Sequence, residues 1–265
     1  MSLPTGGRPG SPTAGRMHLA LLAALPLEVR PFLRQNRARP LPGVGRPAWE
    51  FQAGEGKGGL ALTGMGEEAA RQAARQVFDL WQPEIIVSLG FGGALLPGLA
   101  PGQVVLGASF GHYEPHSGRL VKVEAPAPPR PLLELAQSLE SAGLAADIGC
   151  FVSTPGIIHK ERQGRPLQGL KQPVLDLESA AVAGAAAAAG RPFLALRVIT
   201  DIAGEEIPDF LRAGWQPGYG PSLTKALGWL VRDPRRLGSM LHLWRRSRLG
   251  AERLNQALQV LLPLL

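Results

Sequence analysis

Three carboxylates follow apolar runs in the sequence, at positions where an enzyme could use them. Glu28 comes just after a first apolar run, Glu178 separates a second run from an alanine-rich segment, and Asp201 ends a third. Ligands of open α/β sheets bind beyond the carboxyl ends of the strands, so acids at strand ends can meet in one site. Such a group favours acid–base chemistry or the stabilisation of a cationic substrate.

Each of these carboxylates also has a purely structural interpretation. Glu28 could complement the dipole of a helix first turn, and Glu178 could cap the alanine-rich helix. Asp201 could be the partner of Arg197, because an acid that ends a buried strand needs one. Taken singly, none of the three distinguishes catalysis from structure.

Two glycine clusters follow predicted strands and would let the backbone approach a ligand closely. Gly64 and Gly66 belong to the first cluster, and Gly90 and Gly92 belong to a predicted loop over 90–93. Leu95 stands where a dinucleotide-binding fingerprint has its third glycine, which argues against a Rossmann cofactor site. Tight turns are the structural alternative for both clusters.

The histidines do not form a recognisable metal site. His112 and His116 are predicted to lie in a loop without a third ligand, and His159 receives no role. We therefore expect no metal ion.

Short apolar runs that alternate with helical patterns predict an α/β fold with a central mixed sheet. The predicted strands cover 18–24, 59–63, 84–89, 103–108, 148–153, 174–177 and 193–200. The predicted helices cover 27–35, 67–81, 131–142 and 179–189. After residue 222 only helical patterns remain, which predicts a C-terminal helical extension.

Composition and charge separate a catalytic body from a basic tail. The chain has 265 residues, 45% of them hydrophobic, and a net charge of +7, with eight basic and two acidic residues in 222–265. The nearly neutral body suits a small-molecule site better than a nucleic-acid groove. We predict a disordered segment over 1–16, a catalytic domain over 17–221 and a basic amphipathic extension over 222–265.

The expected location is the cytoplasm. Cys150 is the single cysteine, which excludes an internal disulfide. No stretch reaches the roughly 18 apolar residues that span a bilayer. The apolar run over 17–27 is also compatible with a signal peptide, although it equally suits a buried first strand.

Taken in order, these segments resemble the nucleoside phosphorylase superfamily, particularly its methylthioadenosine/S-adenosylhomocysteine nucleosidase branch. The resemblance covers roughly 17–212 and implies a three-layer phosphorylase-like domain that needs neither a metal ion nor an organic cofactor. It implies that Glu178 binds the ribose hydroxyls, Asp201 protonates the leaving purine, and Glu28 activates the attacking water. The other residues expected to contact the substrate are Gly64, Gly66, Gly90, Phe91, Gly92, Ile157, Ile158, Leu177 and Arg197.

The resemblance implies hydrolytic release of adenine from a 5′-modified adenosine, and two departures bear on the substrate. Phe91 stands where that branch has a serine, and Ile157 stands where it has an aromatic residue. Phosphorolysis is the close alternative. A non-catalytic nucleoside-binding protein and a basic nucleic-acid-binding protein are alternatives of another class, although two of the carboxylates would repel a polyanion.

The tail is similar to the C-terminal region of hopanoid-associated phosphorylases. On a helical wheel Leu237, Met240, Leu241 and Trp244 share one face, and Arg235, His242, Arg246 and Arg253 share the opposite one. This pattern is typical of an interfacial helix, so membrane contact and a lipid-linked adenosine substrate are hypotheses. Packing of the apolar face on the body or on a second subunit is the alternative, and the resemblance implies a homodimer.

Overall fold

The computed structural model describes residues 16–207 and 236–265, and its strands form one mixed ten-stranded sheet. The strands are β1 (Leu19–Ala23), β2 (Arg39–Pro40), β3 (Ala48–Ala53), β4 (Gly56–Leu62), β5 (Ile85–Ala94), β6 (Val104–Glu114), β7 (Arg119–Val123), β8 (Ala146–Ser153), β9 (Pro173–Asp176) and β10 (Phe193–Asp201). The α-helices of the described ranges are α1 (Pro26–Gln35), α2 (Glu67–Trp81), α3 (Leu132–Ser141), α4 (Lys160–Gln163), α5 (Ser179–Ala189) and α6 (Arg236–Leu261).

The strand order brings the carboxyl ends of three parallel strands together. β5 pairs in parallel with β1 on one side and with β10 on the other. The sheet also continues from β5 through β9, β8 and β6 back to β10, so these five strands close into a ring. Residues that follow β1, β5 and β10 therefore lie at one edge of the sheet, at the mouth of this ring.

The predicted α/β class and central mixed sheet are confirmed, and every predicted strand and helix is found. Most ends shift by one to three residues, but β6 runs to Glu114 although its predicted end was 108. Three strands were not predicted: β2, β3 and β7. They lie at or near sheet edges, where one face is exposed and the apolar signal is weak. β5 also runs to Ala94, so the prediction of a loop over 90–93 is wrong.

The body is built around apolar layers on both faces of the sheet. One layer contains β1, α1, α3 and the end of α6, and the other contains α2 and α5. α5 is almost entirely alanine, which lets it lie close to the sheet and to α2. This close packing fixes Glu178 at the beginning of α5.

The helix α6 has two halves with different surroundings. In its second half Leu254, Leu258 and Leu261 are buried against the body, where α6 packs on α1, α3 and β10. In its first half Leu241 and Trp244 are 45% and 54% exposed. The described part of the predicted extension thus shares the core, and the predicted boundary at 222 lies outside the described residues.

Candidate active site

A cavity of about 830 Å³, open to solvent, lies at the edge where the strands end. It is lined by Ala24, Leu25, Glu28, Met65, Phe91, Gly92, Gly93, Thr154, Ile157, Ile158, Lys160, Leu175, Asp176, Leu177, Glu178, Thr200, Asp201 and Ile207. All three carboxylates singled out from the sequence therefore face the same space.

Glu28 is held by two backbone N–H groups and buried to 4% exposure. Leu25 N–H donates to Oε2 at 2.8 Å, and Phe91 N–H donates to Oε1 at 3.1 Å. Burial raises the pKa of Glu28, while the two N–H groups and Arg197 oppose the rise. Glu28 thus both satisfies the first turn of α1 and presents a buried carboxylate to the cavity, so capping and catalysis are compatible here.

Glu178 occupies the N-cap position of α5, but its side chain does not cap that helix. Instead, Gly66 N–H donates to its Oε1 at 2.9 Å across the cavity wall. Gly64 and Gly66 have φ values of 75° and 95°, which favour glycine and aim this N–H at the carboxylate. Burial first, and then the negative charge of Asp176, raise the pKa of Glu178 to about 8.

The expected pairing of Arg197 with Asp201 is wrong. Arg197 is 1% exposed, its Nε lies 3.0 Å from Asp176 Oδ2, and its guanidinium donates to Ser88 Oγ at 3.1 Å. Four residues of strand place Arg197 about 13 Å from Asp201 along β10, beyond side-chain reach. Arg197 is buried beside the site rather than in the cavity lining, and its positive charge partly offsets the buried acids.

Asp201 has a cationic partner that the sequence did not suggest. Lys160 Nζ lies 2.6 Å from Asp201 Oδ2, and both side chains line the cavity. Thr200 Oγ1 donates to the other carboxylate oxygen at 3.0 Å. Lys160 belongs to α4, which begins directly after His159, so its contact with the end of β10 arises only from the fold.

The glycines of β5 make room for the acids. A Cβ at Gly90 would lie 2.7 Å from Glu28 Oε1, and one at Gly93 would lie 2.4 Å from Asp201 Oδ2. Gly92 lines the cavity itself. Gly90 and Gly93 require glycine because the carboxylate of Glu28, from α1, and that of Asp201, from β10, pack against the bare backbone.

The apolar side of the cavity contains the two residues that depart from the nucleosidase branch. Phe91 and Ile157 both line it, together with Ile158 and Leu177. A Cβ at Gly250 would lie 2.8 Å from the Phe91 ring, so α6 packs directly behind that wall. No described residue of α6 lines the cavity itself.

His112, His116 and His159 are not among the described residues that line the cavity. His112 belongs to β6, which corrects its predicted place in a loop, and its Nδ1 lies 3.2 Å from Glu67 Oε2. His116 lies in the turn that follows. Within 16–207 and 236–265 no three His, Cys, Asp or Glu side chains are grouped as a metal ion would require.

Several cavity residues were missed by the sequence analysis. Lys160, Asp176, Thr154 and Met65 line the cavity, and Asp176 accepts a hydrogen bond from Ser153 Oγ at 2.5 Å. Asp176 stands two residues before Glu178 at a strand end, so its position was a usable signal. Lys160 offered none, because a lysine after an isoleucine–histidine pair has no distinctive pattern.

Comparison with known proteins agrees with this geometry. A 5′-methylthioadenosine/S-adenosylhomocysteine nucleosidase of Geobacillus thermodenitrificans is 24% identical over 205 residues, covering 72% of this chain and 86% of the relative. The fold is shared with the Neisseria meningitidis nucleosidase in complex with methylthio-immucillin-A (TM-score 0.66, 17% identity, 95% and 100% coverage). It is also shared with futalosine hydrolase of Helicobacter pylori (TM-score 0.66, 14% identity, 93% and 98% coverage).

The family assignment follows from the match along the sequence. The family model described as "Phosphorylase superfamily" matches residues 18–214, most of the chain and almost all of the predicted catalytic domain. Those residues carry the ring of strands, the β5 glycines and the three carboxylates of the cavity. The chain therefore belongs to the phosphorylase superfamily.

Proposed function

We propose that the protein hydrolyses the N-glycosidic bond of a 5′-modified adenosine and releases adenine. The observation that carries this proposal is the meeting of Glu28, Glu178 and Asp201 in one largely apolar cavity. The Geobacillus relative is a 5′-methylthioadenosine/S-adenosylhomocysteine nucleosidase, and this similarity and the family match support the same reaction class.

Each carboxylate has surroundings suited to one part of the reaction. Burial raises the pKa of Glu28, which makes it a stronger proton acceptor for an attacking water. Glu178 binds the ribose hydroxyls, and its negative charge stabilises the sugar as it becomes cationic. Asp201, at the end of β10, faces the purine that must leave as a neutral base.

Water rather than phosphate is the proposed nucleophile. Among the described residues that line the cavity, the only cationic side chain is Lys160, and it is paired with Asp201. A phosphate would need several donors around it, of the kind that arginine supplies. Phosphorolysis therefore remains the alternative that the assay must test.

The test is a product assay with the full-length protein. A panel of adenosines with different 5′ groups is incubated with and without inorganic phosphate, and free adenine and the sugar product are quantified. Adenine release without phosphate supports hydrolysis, whereas strict dependence on phosphate would replace it with phosphorolysis. Binding without any release of adenine would favour a non-catalytic nucleoside-binding protein.

We also propose that the first half of α6 contacts the inner face of the membrane and that the 5′ group is a lipid. Leu241 and Trp244 are exposed, and the Arg248 guanidinium lies 5.8 Å from the Trp244 ring centre. Arg246 instead pairs with Glu205 at 3.3 Å, which orients this half of the helix. Gly250 packs against Phe91 at the cavity wall, and it is six residues, or about 9 Å of helix, from the exposed Trp244. An apolar chain on the 5′ position could therefore run along α6 from the cavity to the exposed part of the helix.

Point substitutions test this membrane contact better than truncation, because deletion of 222–265 would remove core leucines. Co-sedimentation with phosphatidylglycerol vesicles should be lost in the double variant Leu241→Ser, Trp244→Ser. Leu133→Ser, at an exposed leucine of α3, is the matched control and should bind normally. Equal binding by all three proteins, or efficient turnover of soluble methylthioadenosine without vesicle binding, would contradict the lipid hypothesis.

No described helix is long and apolar enough to cross a bilayer.

A homodimer is the remaining proposal about assembly. A groove between α2 and α5 is lined on the α5 side by small side chains such as Ala185 and Ala188, which permit close approach of a second copy. Its α2 side carries charged side chains, among them Arg71, Arg75 and Asp79. Ala188→Glu should convert a dimer to a monomer in sedimentation experiments. A monomeric wild-type protein would contradict this proposal.

A further inference from the structure

We propose that Lys160 is a positioning residue that holds Asp201 and supplies, through it, the proton that the leaving purine takes up. This inference rests on the proposed function, since it concerns the leaving-group side of the same cavity. The observation behind it is a buried ammonium group beside Asp201, the acid for which the sequence had suggested Arg197 as partner.

The Lys160 ammonium is fully engaged by the end of β10. Its Nζ lies 2.6 Å from Asp201 Oδ2 and donates to the carbonyl oxygens of Asp201 at 3.2 Å and Ile202 at 2.9 Å. An ammonium has three N–H donors and no acceptor, so three oxygens satisfy it completely. Lys160 is only 7% exposed, which makes this set of contacts its main source of stabilisation.

The hydrogen bonds of Asp201 also determine which proton it can pass to the leaving purine. One carboxylate oxygen accepts from Thr200 Oγ1 and the other faces Lys160 Nζ. In the proposed step the exchangeable proton of the pair starts on the lysine nitrogen. A purine approaching Asp201 therefore meets a carboxylate whose proton supply lies directly behind it.

The proton balance of the proposed step closes without another reagent. When C1′–N9 breaks, its electron pair passes to the purine, and N7 takes one proton from the Lys160–Asp201 pair. Lys160 is left as a neutral amine beside the Asp201 carboxylate. The attacking water gives its proton to Glu28, and that proton returns to Lys160 through solvent, so adenine and the free sugar leave as neutral products.

This role predicts a dependence on the leaving group that a structural ion pair would not have. Adenine needs a proton in order to leave, whereas 4-nitrophenolate leaves as a stable anion. Lys160→Met should therefore lower kcat for an adenine nucleoside by roughly 100-fold or more, the usual contribution of a general acid, with a nearly unchanged KM. Its kcat for the corresponding 4-nitrophenyl riboside should stay close to the wild-type value.

Three further variants make the experiment decisive. Lys160→Arg keeps the cation and should recover part of the adenine-releasing rate. Adding Lys160→Met to Asp201→Asn should cost little beyond the single Asp201→Asn change, because both act on one proton transfer. Lys57→Met removes an exposed lysine–glutamate pair far from the cavity and should leave both substrates unaffected.

Each outcome decides the question. An equal loss for adenine and 4-nitrophenyl substrates, or no loss for either, would overturn the role of Lys160. If Lys160→Met does not fold, the comparison of Lys160→Arg with wild type on the two substrates tests the same point. Absence of adenine release by the wild-type protein would instead overturn the proposed function, so the two failures are distinguishable.

Discussion

The charge of Glu178 leads to the sharpest prediction. Its pKa is raised from 4.5 to about 8 by burial and by Asp176, so about a tenth of the free enzyme has this carboxylate ionised at pH 7. If the ionised form stabilises the cationic sugar, kcat/KM rises with pH by roughly tenfold per unit until about pH 8. Glu178→Gln should remove this rise and lower kcat at every pH.

The ionisation of Glu178 also changes the free energy of unfolding. A pKa raised from 4.5 to about 8 disfavours the ionised form in the folded protein by at most about 5 kcal/mol, at 1.36 kcal/mol per pH unit. Because the folded state holds this proton more tightly, the stabilising contribution is complete below about pH 4.5 and is lost as pH rises through 8. Glutamine mimics the neutral carboxyl group and has no such loss.

Two measurements on wild type and Glu178→Gln therefore go together. The kcat/KM profile between pH 5.5 and 9.5 gives the rising limb, and thermal unfolding over the same range gives the melting temperature. We expect the variant to have a low kcat/KM without a rising limb, and to become more stable than wild type as pH increases up to about 8. A rising limb that persists in the variant would show that another group titrates there. A constant difference in melting temperature would refute the assigned ionisation of Glu178.

The other predictions concern the acids, the β5 glycines and the tail helix. Gly90→Ala should lower kcat by about 10-fold or more, because its Cβ would displace Glu28 from its N–H partners, each such bond being worth about 1.5–3 kcal/mol. Glu28→Gln should lower kcat comparably, and unchanged kinetics with a lower melting temperature would restrict Glu28 to helix capping. Asp201→Asn should cost roughly 100- to 10,000-fold in adenine release while the circular dichroism spectrum is preserved; near-normal kcat would remove Asp201 from the mechanism. Leu258→Ala should destabilise the fold by about 2–5 kcal/mol in denaturant unfolding, since Leu258 is 1% exposed, and a negligible change would contradict the packing of α6.

The sequence by itself determined the local elements and the acids at their ends. Apolar runs and helical periodicity gave the main strands and helices, because these patterns depend on neighbours a few residues apart. Glu28, Glu178 and Asp201 were recognisable for the same reason, since each follows an apolar run directly. The edge strands β3 and β7 were missed because a half-exposed strand carries a weak pattern.

Only the tertiary structure decided which residues meet. The pairing of β5 with both β1 and β10 brings Gly90 under Glu28 and Gly93 under Asp201, and it turns a predicted loop into strand. In the same strand order Arg197 pairs with Asp176, and Asp201 pairs with Lys160, which lies 41 residues earlier in the chain. Such partners depend on register and on strand order, which no local pattern encodes, and so the acids were predictable while their partners were not.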